Sequence, residues 1–477
     1  MKAVNGHFDA VVVGSGPNGL AAAITMQRAG LSVLLIEGKD TVGGGMRTAS
    51  LTLPGFHHDV CSAVHPMGAA SPFLSSLPLH QHGLEFIQPE LPLAHPFDDG
   101  TAACLSTSLE ETAIAFGVDK QAYLQLVGPL VHNWDQLIAD ILAPLQLPKY
   151  PIAFARFGTK AVQSAARLAR RFSTSQLRGL WAGLAAHGMQ PLDHLTTGAI
   201  GMVLGAAAHT HGWPIARGGS QSIANAMLAY FQSLGGQLIT GWMVDDLREL
   251  PPTALTLLDL TPKQVMKVAG PELSPMYRWQ MNRYQYGPGI FKIDWALSEP
   301  IPFKSAEARR AGTVHLGNSF EEIAAAEKAA NHGKLVEKPF VLLSQPSLFD
   351  PSRAPEGRHT AWAYCHVPSG STVNRVSAIE QQVERFAPGF CDVILERHTM
   401  NAGEMQRYNP NYIGGDINGG VLNISQLYTR PAFKVSPYRT SKRGLYICSS
   451  STPPGGGVHG MCGYHAARKA MQDIFNI

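Results

Sequence analysis

A glycine-rich turn near the N-terminus has the residue types and the spacing that bind a dinucleotide. Residues 14–19 are G-S-G-P-N-G and follow a β-branched apolar run, residues 8–13, which predicts a buried parallel strand. The first glycine permits the tight turn, the second lets the backbone approach a diphosphate, and the third lets the next helix, residues 20–29, pack on the strand. The N–H groups at the start of that helix point at the phosphates. The candidate binding residues are Gly14, Ser15, Gly16, Pro17, Asn18 and Gly19.

An acidic residue stands at the distance from this turn that adenosine recognition requires. A second predicted strand, residues 32–36, ends at Glu37, 23 residues after Gly14. A carboxylate at this place accepts hydrogen bonds from the ribose hydroxyls and repels a 2′-phosphate, so NADP is disfavoured. Glu37 and the adjacent Gly38 are candidate cofactor-binding residues.

A second glycine cluster, residues 43–48, has the sequence G-G-G-M-R-T. Glycines allow the backbone of such a loop to approach a ligand closely. Arg47 brings a permanent positive charge that can lie beside two phosphates; the alternative is that Arg47 is a solvated surface charge. The candidate binding residues of this cluster are Gly44, Gly45, Met46 and Arg47.

Residues 43–48 and the C-terminal segment resemble two motifs of the amine oxidase and phytoene desaturase superfamily of flavoproteins. Residues 43–48 are similar to the GG-x-x-R-[ST] segment of that family. Residues 444–474, a predicted strand, a proline- and glycine-rich loop and a helix, are similar to its C-terminal flavin motif. The family usually has glycines where this chain has Ser449 and Ser451.

The resemblance implies FAD as the cofactor, with Arg47 beside its diphosphate and ribityl chain. It implies that the C-terminal loop and the start of the last helix cradle the flavin, where negative charge accumulates on reduction. Ser450, Gly460 and Met461 are the candidate residues there. The resemblance also implies that Val244 contacts the adenine through its backbone.

Several further stretches resemble the phytoene-dehydrogenase-like branch of the superfamily, so the resemblance covers nearly the whole chain. They are residues 212–219, 286–295, 312–317, 350–355 and 409–416.

The implied fold class is α/β, with a Rossmann-type (GR2-like) FAD-binding domain interleaved with an α+β substrate domain and a helical cap. We expect a discontinuous FAD-binding domain, a strand ending at residues 242–246 that rejoins it, and mostly helical periodicity over residues 105–210. The expected boundaries are residues 1–70, 213–270 and 436–477 for the FAD-binding domain, 71–104 and 271–435 for the substrate-binding domain, and 105–212 for the cap.

Composition excludes several classes of function. A net charge of +3 is too small to indicate a nucleic-acid partner, and six cysteines that never form C-x-x-C support neither a zinc site nor a dithiol redox pair. No second glycine motif that could hold NAD(P)H is recognised, so we expect oxygen or a quinone as electron acceptor. The scattered cysteines and the lack of an apolar N-terminal segment predict a cytoplasmic protein.

Residues 156–172 leave open whether the protein associates with a membrane. Residues 156–172 are predicted to form a basic amphipathic helix, with arginines and a lysine mostly away from its apolar face. Such a helix either binds a membrane surface peripherally or packs on its own domain with a solvated basic face.

The leading functional hypothesis is an FAD-dependent dehydrogenase or oxidase that accepts a hydride at flavin N5 from an apolar, isoprenoid-like small molecule. His65 and His459 are the candidate acid–base residues, although hydride transfer to a flavin does not strictly need a protein base. Two alternatives remain, a redox-neutral flavin-dependent isomerase and a non-catalytic FAD-containing binding protein. No metal site is predicted, and the fold does not define the substrate.

Overall fold

Two β-sheets and the helices packed around them position every candidate site residue. The computed structural model describes residues 6–477. Residues 1–5, part of the N-terminal segment from which a cytoplasmic location is predicted, lie outside the described residues. One sheet has five parallel strands and the other has seven strands of mixed direction.

The elements within residues 6–477 are numbered in chain order. The strands are β1 (Ala10–Val13), β2 (Val33–Ile36), β3 (Thr48–Ala49), β4 (His58–Asp59), β5 (Phe86–Ile87), β6 (Leu91–Pro96), β7 (Ala102–Leu105), β8 (Ile215–Ala216), β9 (Gln237–Ile239), β10 (Leu255–Leu258), β11 (Gly289–Leu297), β12 (Ala311–Leu316), β13 (Val341–Ser344), β14 (His359–Val367), β15 (Ile394–Met400) and β16 (Leu445–Ile447). The α-helices are α1 (Pro17–Arg28), α2 (Pro66–Ala69), α3 (Pro72–Ser75), α4 (Leu109–Ala115), α5 (Lys120–His132), α6 (Trp134–Ile141), α7 (Pro151–Ala161), α8 (Ala165–Ala169), α9 (Ser175–Ala186), α10 (Thr197–Thr210), α11 (Gln221–Ser233), α12 (Pro262–Ala269), α13 (Pro275–Asn282), α14 (Phe320–Asn331), α15 (Val376–Phe386), α16 (Ala402–Tyr408), α17 (Ile424–Thr429) and α18 (Met461–Ile474).

The parallel sheet has the strand order β16-β10-β1-β2-β9. Strand β1 lies in its middle because its Ala-Val-Val-Val run is buried along its whole length, as strands covered on both faces are. The carboxyl ends of parallel strands meet at one edge, and the chain continues there into Gly14 after β1, Glu37 after β2 and Asp259 after β10. This edge therefore gathers three segments that are far apart in the sequence.

The mixed sheet has the strand order β15-β11-β14-β13-β12-β6-β7. Its two faces differ because side chains alternate along each strand. Ile293 and Ala363 belong to a buried apolar core on one face. The intervening positions, among them Lys292 and Tyr364, place polar and aromatic side chains on the other face.

Helices α4 to α10 form a layer over residues 109–210, consistent with the predicted helical periodicity. The prediction of one helix over residues 156–172 is wrong. Helix α7 ends at Ala161, and a new helix starts where the Ser164 hydroxyl accepts a hydrogen bond from the Arg167 N–H at 3.2 Å. Within residues 6–477, no helix is both long and apolar enough to cross a membrane.

The predicted strand ending at residues 242–246 is also wrong. Strand β9 ends at Ile239, and Gly241 has a φ of 62°, which extended strands do not adopt. The chain turns there and returns to the sheet edge, where the Trp242 N–H donates to the Glu37 carbonyl at 3.0 Å. Val244 consequently lies beside the end of the sheet rather than within it.

Helix α18 packs against α1 at backbone contact. A Cβ atom added at Gly463 would lie 1.8 Å from the carbonyl oxygen of Asn18, a distance that no real contact allows. This close approach holds the C-terminal segment against the dinucleotide turn, so the two ends of the chain form one site.

We predict that Gly463→Ala destabilises the protein by at least about 1–3 kcal/mol, because backbone must move to admit the methyl group. The measurement is the free energy of unfolding in urea. Gly158→Ala is the matched control: it also lies inside a helix, but an added Cβ meets no atom within 4 Å. It should leave stability unchanged or raise it by up to about 1 kcal/mol. Equal effects of the two substitutions would contradict the backbone contact.

Candidate functional site

One continuous cavity of about 470 Å³ joins the two sheets. At one end, called here the dinucleotide end, it is lined by Gly14, Glu37 and Arg47. At the other, the sheet end, it is lined by Leu342 and Tyr364 of the mixed sheet. A ligand that enters this cavity contacts both structural units at once.

The turn after β1 is shaped by contacts that only glycine permits. Gly14 has a φ of 98°, and a Cβ on Gly19 would lie 1.9 Å from the Gly14 carbonyl oxygen, so α1 starts directly against the turn. A Cβ on Gly44 would lie 2.9 Å from the Cα of Gly16. The two glycine clusters of the sequence therefore touch each other, and together they form one wall of the dinucleotide end.

Glu37 is held by a ring of donors at the end of β2. Its carboxylate accepts hydrogen bonds from the Ser15 N–H at 3.1 Å, from the Ser15 hydroxyl at 2.5 Å and from the Lys39 N–H at 2.8 Å. Arg47 pairs with it at 3.1 Å and donates to the Thr41 carbonyl at 2.7 Å. Both side chains are buried, so the alternative that Arg47 is a solvated surface charge does not hold.

Asp259 is an acidic residue at the dinucleotide end of the cavity, and the sequence does not identify it as a candidate binding residue. It follows β10 and lines the cavity, and its Oδ2 accepts a hydrogen bond from the Gly19 N–H at 3.0 Å. A Cβ on Gly16 would lie 2.7 Å from the same oxygen. The carboxyl group thus occupies the start of α1, where phosphate oxygens bind in dinucleotide sites.

Burial raises the pKa of the Asp259 carboxyl group. Removal from water raises the pKa of this carboxyl to about 7, against hydrogen bonds from Gly19 and Gly16 that lower it, and the nearby Glu37 raises it further. The charge of Asp259 in turn contributes to raising the pKa of the buried Cys448 thiol, although burial of that thiol is the larger cause. The Asp259 carboxyl group therefore changes charge near neutral pH.

The structure places most of the predicted cofactor-binding residues on the wall of the cavity and a few behind it. The lining residues are Gly14, Ser15, Gly16, Pro17, Asn18, Glu37, Gly38, Gly44, Gly45, Arg47, Val244 and Ser450. The predicted residues that do not line it are Gly19, Met46, Gly460 and Met461. They belong to the glycine turn, the second glycine cluster and the start of α18.

The two predicted acid–base residues lie behind the wall of the cavity. His65 Nε2 is hydrogen-bonded to the Ser220 hydroxyl at 2.8 Å, and His459 Nδ1 accepts from the Met461 N–H at 3.0 Å. Neither lines the cavity. Burial lowers the pKa of each to about 4, so both imidazoles are neutral at pH 7.

Residues 455–460, G-G-G-V-H-G, also match the sequence motif G-x-G-x-x-G. They do not form a second nucleotide turn, because β16 ends at Ile447 and a long loop intervenes. Gly460 instead begins α18 with a φ of 69°, and this helix packs on α1.

The sheet end contains residues that the sequence did not mark. They come from the turn after α9, from α10 and the loop after it, and from β12, β13 and β14, and they meet only in the folded chain. The cavity-lining members include His187, Met189, Leu204, Trp213, Thr313, Leu342, Trp362 and Tyr364. Trp213 and Thr313 fall within stretches that carry the family resemblance, but nothing in the sequence indicates that they line a cavity.

The N-terminal segment matches a known family model. A model described as an NAD(P)-binding Rossmann-like domain matches residues 12–77. This segment begins within β1 and contains α1 and β2, and a strand–helix–strand unit of this kind binds the adenosine and diphosphate shared by NAD(P) and FAD.

Full-length relatives extend the match to the rest of the chain. The chain is 25% identical to "Pyridine nucleotide-disulfide oxidoreductase domain-containing protein 2" of Mus musculus, over 99% of this chain and 94% of that protein. It is 21% identical to a limonene dehydrogenase subunit of Castellaniella defragrans, over 98% and 95% of the two chains. It is 22% identical to the lycopene-forming phytoene desaturase of a Paracoccus species, over 95% of each.

Solved structures share the fold. An oxidoreductase from Methanosarcina mazei superimposes with a TM-score of 0.66 and 15% identity, over 97% of this chain and 99% of that one. A variant of putrescine oxidase with redesigned cofactor binding gives a TM-score of 0.63 and 16% identity, over 99% of each chain. These similarities confirm the predicted fold class.

The fold and the relatives confirm the predicted class of protein, an FAD-dependent oxidoreductase, and the chain is similar to phytoene desaturases over nearly its whole length. All six cysteines are free thiols within residues 6–477.

The cavity fits FAD in the chemistry of its donors and acceptors. Glu37 offers carboxylate oxygens to ribose hydroxyls, and the glycine turn admits a diphosphate. The Oδ1 atom of Asn18 is buried on the cavity wall and has no partner among the described residues, so it can accept from a cofactor hydroxyl. Asp259 fits only when it is protonated, because a carboxylate beside the diphosphate repels it.

We therefore predict that FAD binds more tightly as the pH falls. With a pKa of about 7, Asp259 is mostly neutral at pH 6 and mostly charged at pH 8, so the dissociation constant should rise about tenfold between them. The measurement is titration of the FAD-free protein by quenching of flavin fluorescence.

The Asp259→Asn variant should bind FAD equally well at both pH values. Asp245→Asn is the control, since this exposed carboxyl also lines the cavity and should leave the pH dependence intact. A wild-type affinity that does not change with pH would contradict the placement of Asp259 beside the diphosphate.

Proposed function

We propose that the protein is an FAD-dependent dehydrogenase or oxidase that oxidises an apolar small molecule of isoprenoid type. The observation that supports this most is the continuity of the cavity from the dinucleotide end to a wall of apolar and aromatic side chains. Met189, Leu204, Trp213 and Leu342 belong to that wall. A substrate on this wall lies in the same cavity as the cofactor-binding residues.

The names of two relatives support the apolar substrate. One relative belongs to a limonene dehydrogenase and another is a phytoene desaturase, and limonene and phytoene are both isoprenoid hydrocarbons. The apolar wall of the sheet end is chemically suited to a molecule of this class.

FAD bound in this cavity would supply an acceptor for a hydride, with oxygen or a quinone as the final electron acceptor. The residues of this chain exclude water and orient the substrate. Cavity-lining carboxylates and basic side chains lie at the dinucleotide end, among them Glu37, Arg47 and Asp259. We infer that the sheet end contributes mainly by orienting the substrate.

Reduction of the flavin by a substrate is the direct test. We expect a yellow protein with an absorbance band at about 450 nm that bleaches anaerobically with an isoprenoid substrate and returns with oxygen or a quinone. Colourless protein that FAD cannot reconstitute would contradict the proposal.

Two other outcomes would favour the alternatives. Conversion of substrate to an isomer without net reduction of an acceptor would favour a redox-neutral isomerase. A photoreduced flavin that neither oxygen nor a quinone reoxidises would favour a binding protein with structural FAD.

We also propose a peripheral contact with anionic membranes through the segment before and within α7. Leu145, Leu147 and Ile152 are exposed, with Leu147 at 95%. Lys149, between Leu147 and Ile152, and Arg156, four residues after Ile152, are exposed basic residues of the same segment. Apolar side chains that enter the headgroup region, beside basic ones that attract anionic lipids, are typical of peripheral binding. The apolar residues of α8 are buried in the protein, so this helix packs on its own domain.

We predict that Leu147→Asp abolishes flotation with liposomes of anionic lipid and that charge reversal at Arg156 weakens it by several-fold. Charge reversal at Arg167 and at Arg170, which lie on or beside α8, is the matched control and should have a smaller effect. Flotation that none of these changes alters, or no flotation of the wild type, would contradict the contact.

A further inference from the structure

A second cavity, of about 600 Å³, lies within the helical layer and is called here the helical cavity. Its wall comes from α5, α6, α7 and α10 and from the turn before α7. Within residues 6–477, its lining residues do not overlap with those of the cavity that joins the two sheets. Its volume lies in the range of sites that hold one small molecule.

The floor of the helical cavity is apolar. Leu126 and Leu130 lie one turn apart on α5 and are buried. Leu137 of α6 and Met202 of α10 line the same space and are also buried. The half-buried ring of Phe157, on α7, completes this floor. A hydrocarbon chain in the cavity would therefore contact apolar side chains of four helices.

The rim of the helical cavity is positively charged. Arg156 and Lys160 both line it and lie four residues apart on α7, so their Cβ atoms are about 6 Å apart on one helix face. Lys149, before α7, also lines the cavity, whereas none of the described lining residues is acidic. The carboxylate of Asp140 accepts a hydrogen bond from the Lys149 N–H at 2.9 Å but does not line the cavity. The rim can thus place two cations against one anion.

No acid neutralises these two cations in the described chain. The Arg156 guanidinium has neither a hydrogen bond nor an ion pair with the described residues. The Lys160 ammonium donates to a neutral acceptor, the Gln125 carbonyl oxygen, and retains two further N–H donors. Burial, and after it the positive charge of Arg171, lower the pKa of Lys160. An anion between Arg156 and Lys160 would be attracted by both and would offset the repulsion from Arg171.

We propose that the helical cavity binds a single-chain anionic amphiphile, a long-chain carboxylate. Its head group lies between Arg156 and Lys160, and its chain lies on the apolar floor. A carboxylate accepts charge-assisted hydrogen bonds from both side chains, whereas the rim repels a cationic head group. One chain is expected because the volume is that of a site for a single small molecule. This site is separate from the cavity assigned to FAD, so the proposal does not depend on the proposed function.

The test is isothermal titration calorimetry of the purified protein with dodecanoate, kept below its micelle concentration. Octanoate and dodecyltrimethylammonium are the comparison ligands, one with a shorter chain and one with the opposite charge. We expect one dodecanoate per protein chain, and about two- to fourfold tighter binding for each CH₂ added to octanoate. The cationic ligand should bind at least about tenfold more weakly than dodecanoate.

Two variants connect this binding to the named cations. Arg156→Gln and Lys160→Gln should each weaken dodecanoate binding about tenfold. The ratio of the octanoate and dodecanoate affinities should stay unchanged in both, because the apolar floor is intact. Arg167→Gln is the matched control, since this exposed arginine of α8 does not line the cavity. It removes the same charge from the same helical layer and should leave the affinity within about twofold. An unchanged thermal unfolding midpoint shows that each variant is folded.

Unchanged affinity of both glutamine variants would overturn the inference. Equal affinities of octanoate and dodecanoate, equal binding of the cationic ligand, more than one dodecanoate per chain, or no binding would also overturn it. The ligands are monomeric in solution, so the result does not require the membrane contact, which flotation tests separately. The proposed function is tested by flavin reduction and would stand or fall independently of this site.

Discussion

The parallel pairing of β1 with β2 and β10 is the constraint on which the site depends. It brings the Gly14 turn, Glu37 and Asp259 to one edge of a sheet, although Asp259 is 240 residues from Gly19, to which it is hydrogen-bonded. Without this register the Glu37 carboxylate and the Gly14 turn would not share a cavity. Helix α18 completes the edge through its backbone contact with α1.

The second sheet determines what else can enter the cavity. Alternation along β11 and β14 buries Ile293 and Ala363 in one core and turns Lys292 and Tyr364 toward the other face. The same alternation that stabilises the sheet thus supplies a stacked aromatic wall. Because the ionic groups of the cavity wall stand at the dinucleotide end, the two ends differ in chemistry: one carries charged side chains and the other mostly apolar and aromatic ones.

Local signals made the dinucleotide unit predictable from the sequence. The strand, the glycine turn and Glu37 all lie within residues 8–37. Close packing explains the three glycines of the turn, Gly14, Gly16 and Gly19. Asp259 could not be found in this way, because a single acid after an apolar strand gains meaning only once β10 is known to pair with β1. The same holds for His187 and Tyr364, which distant segments bring together. The apolar periodicity of residues 156–172 concealed the helix start at Ser164, a weak local signal.

If the cofactor-binding edge and the apolar wall form one redox site, bound FAD reaches from one to the other. A crystal structure of the protein with bound FAD tests this most directly. We expect the diphosphate at the Gly14–Asn18 turn, the ribose at Glu37, and the flavin ring in the part of the cavity that opens toward Tyr364. Density that places the flavin ring outside this cavity, or separated from the mixed sheet by protein, would contradict a single redox site.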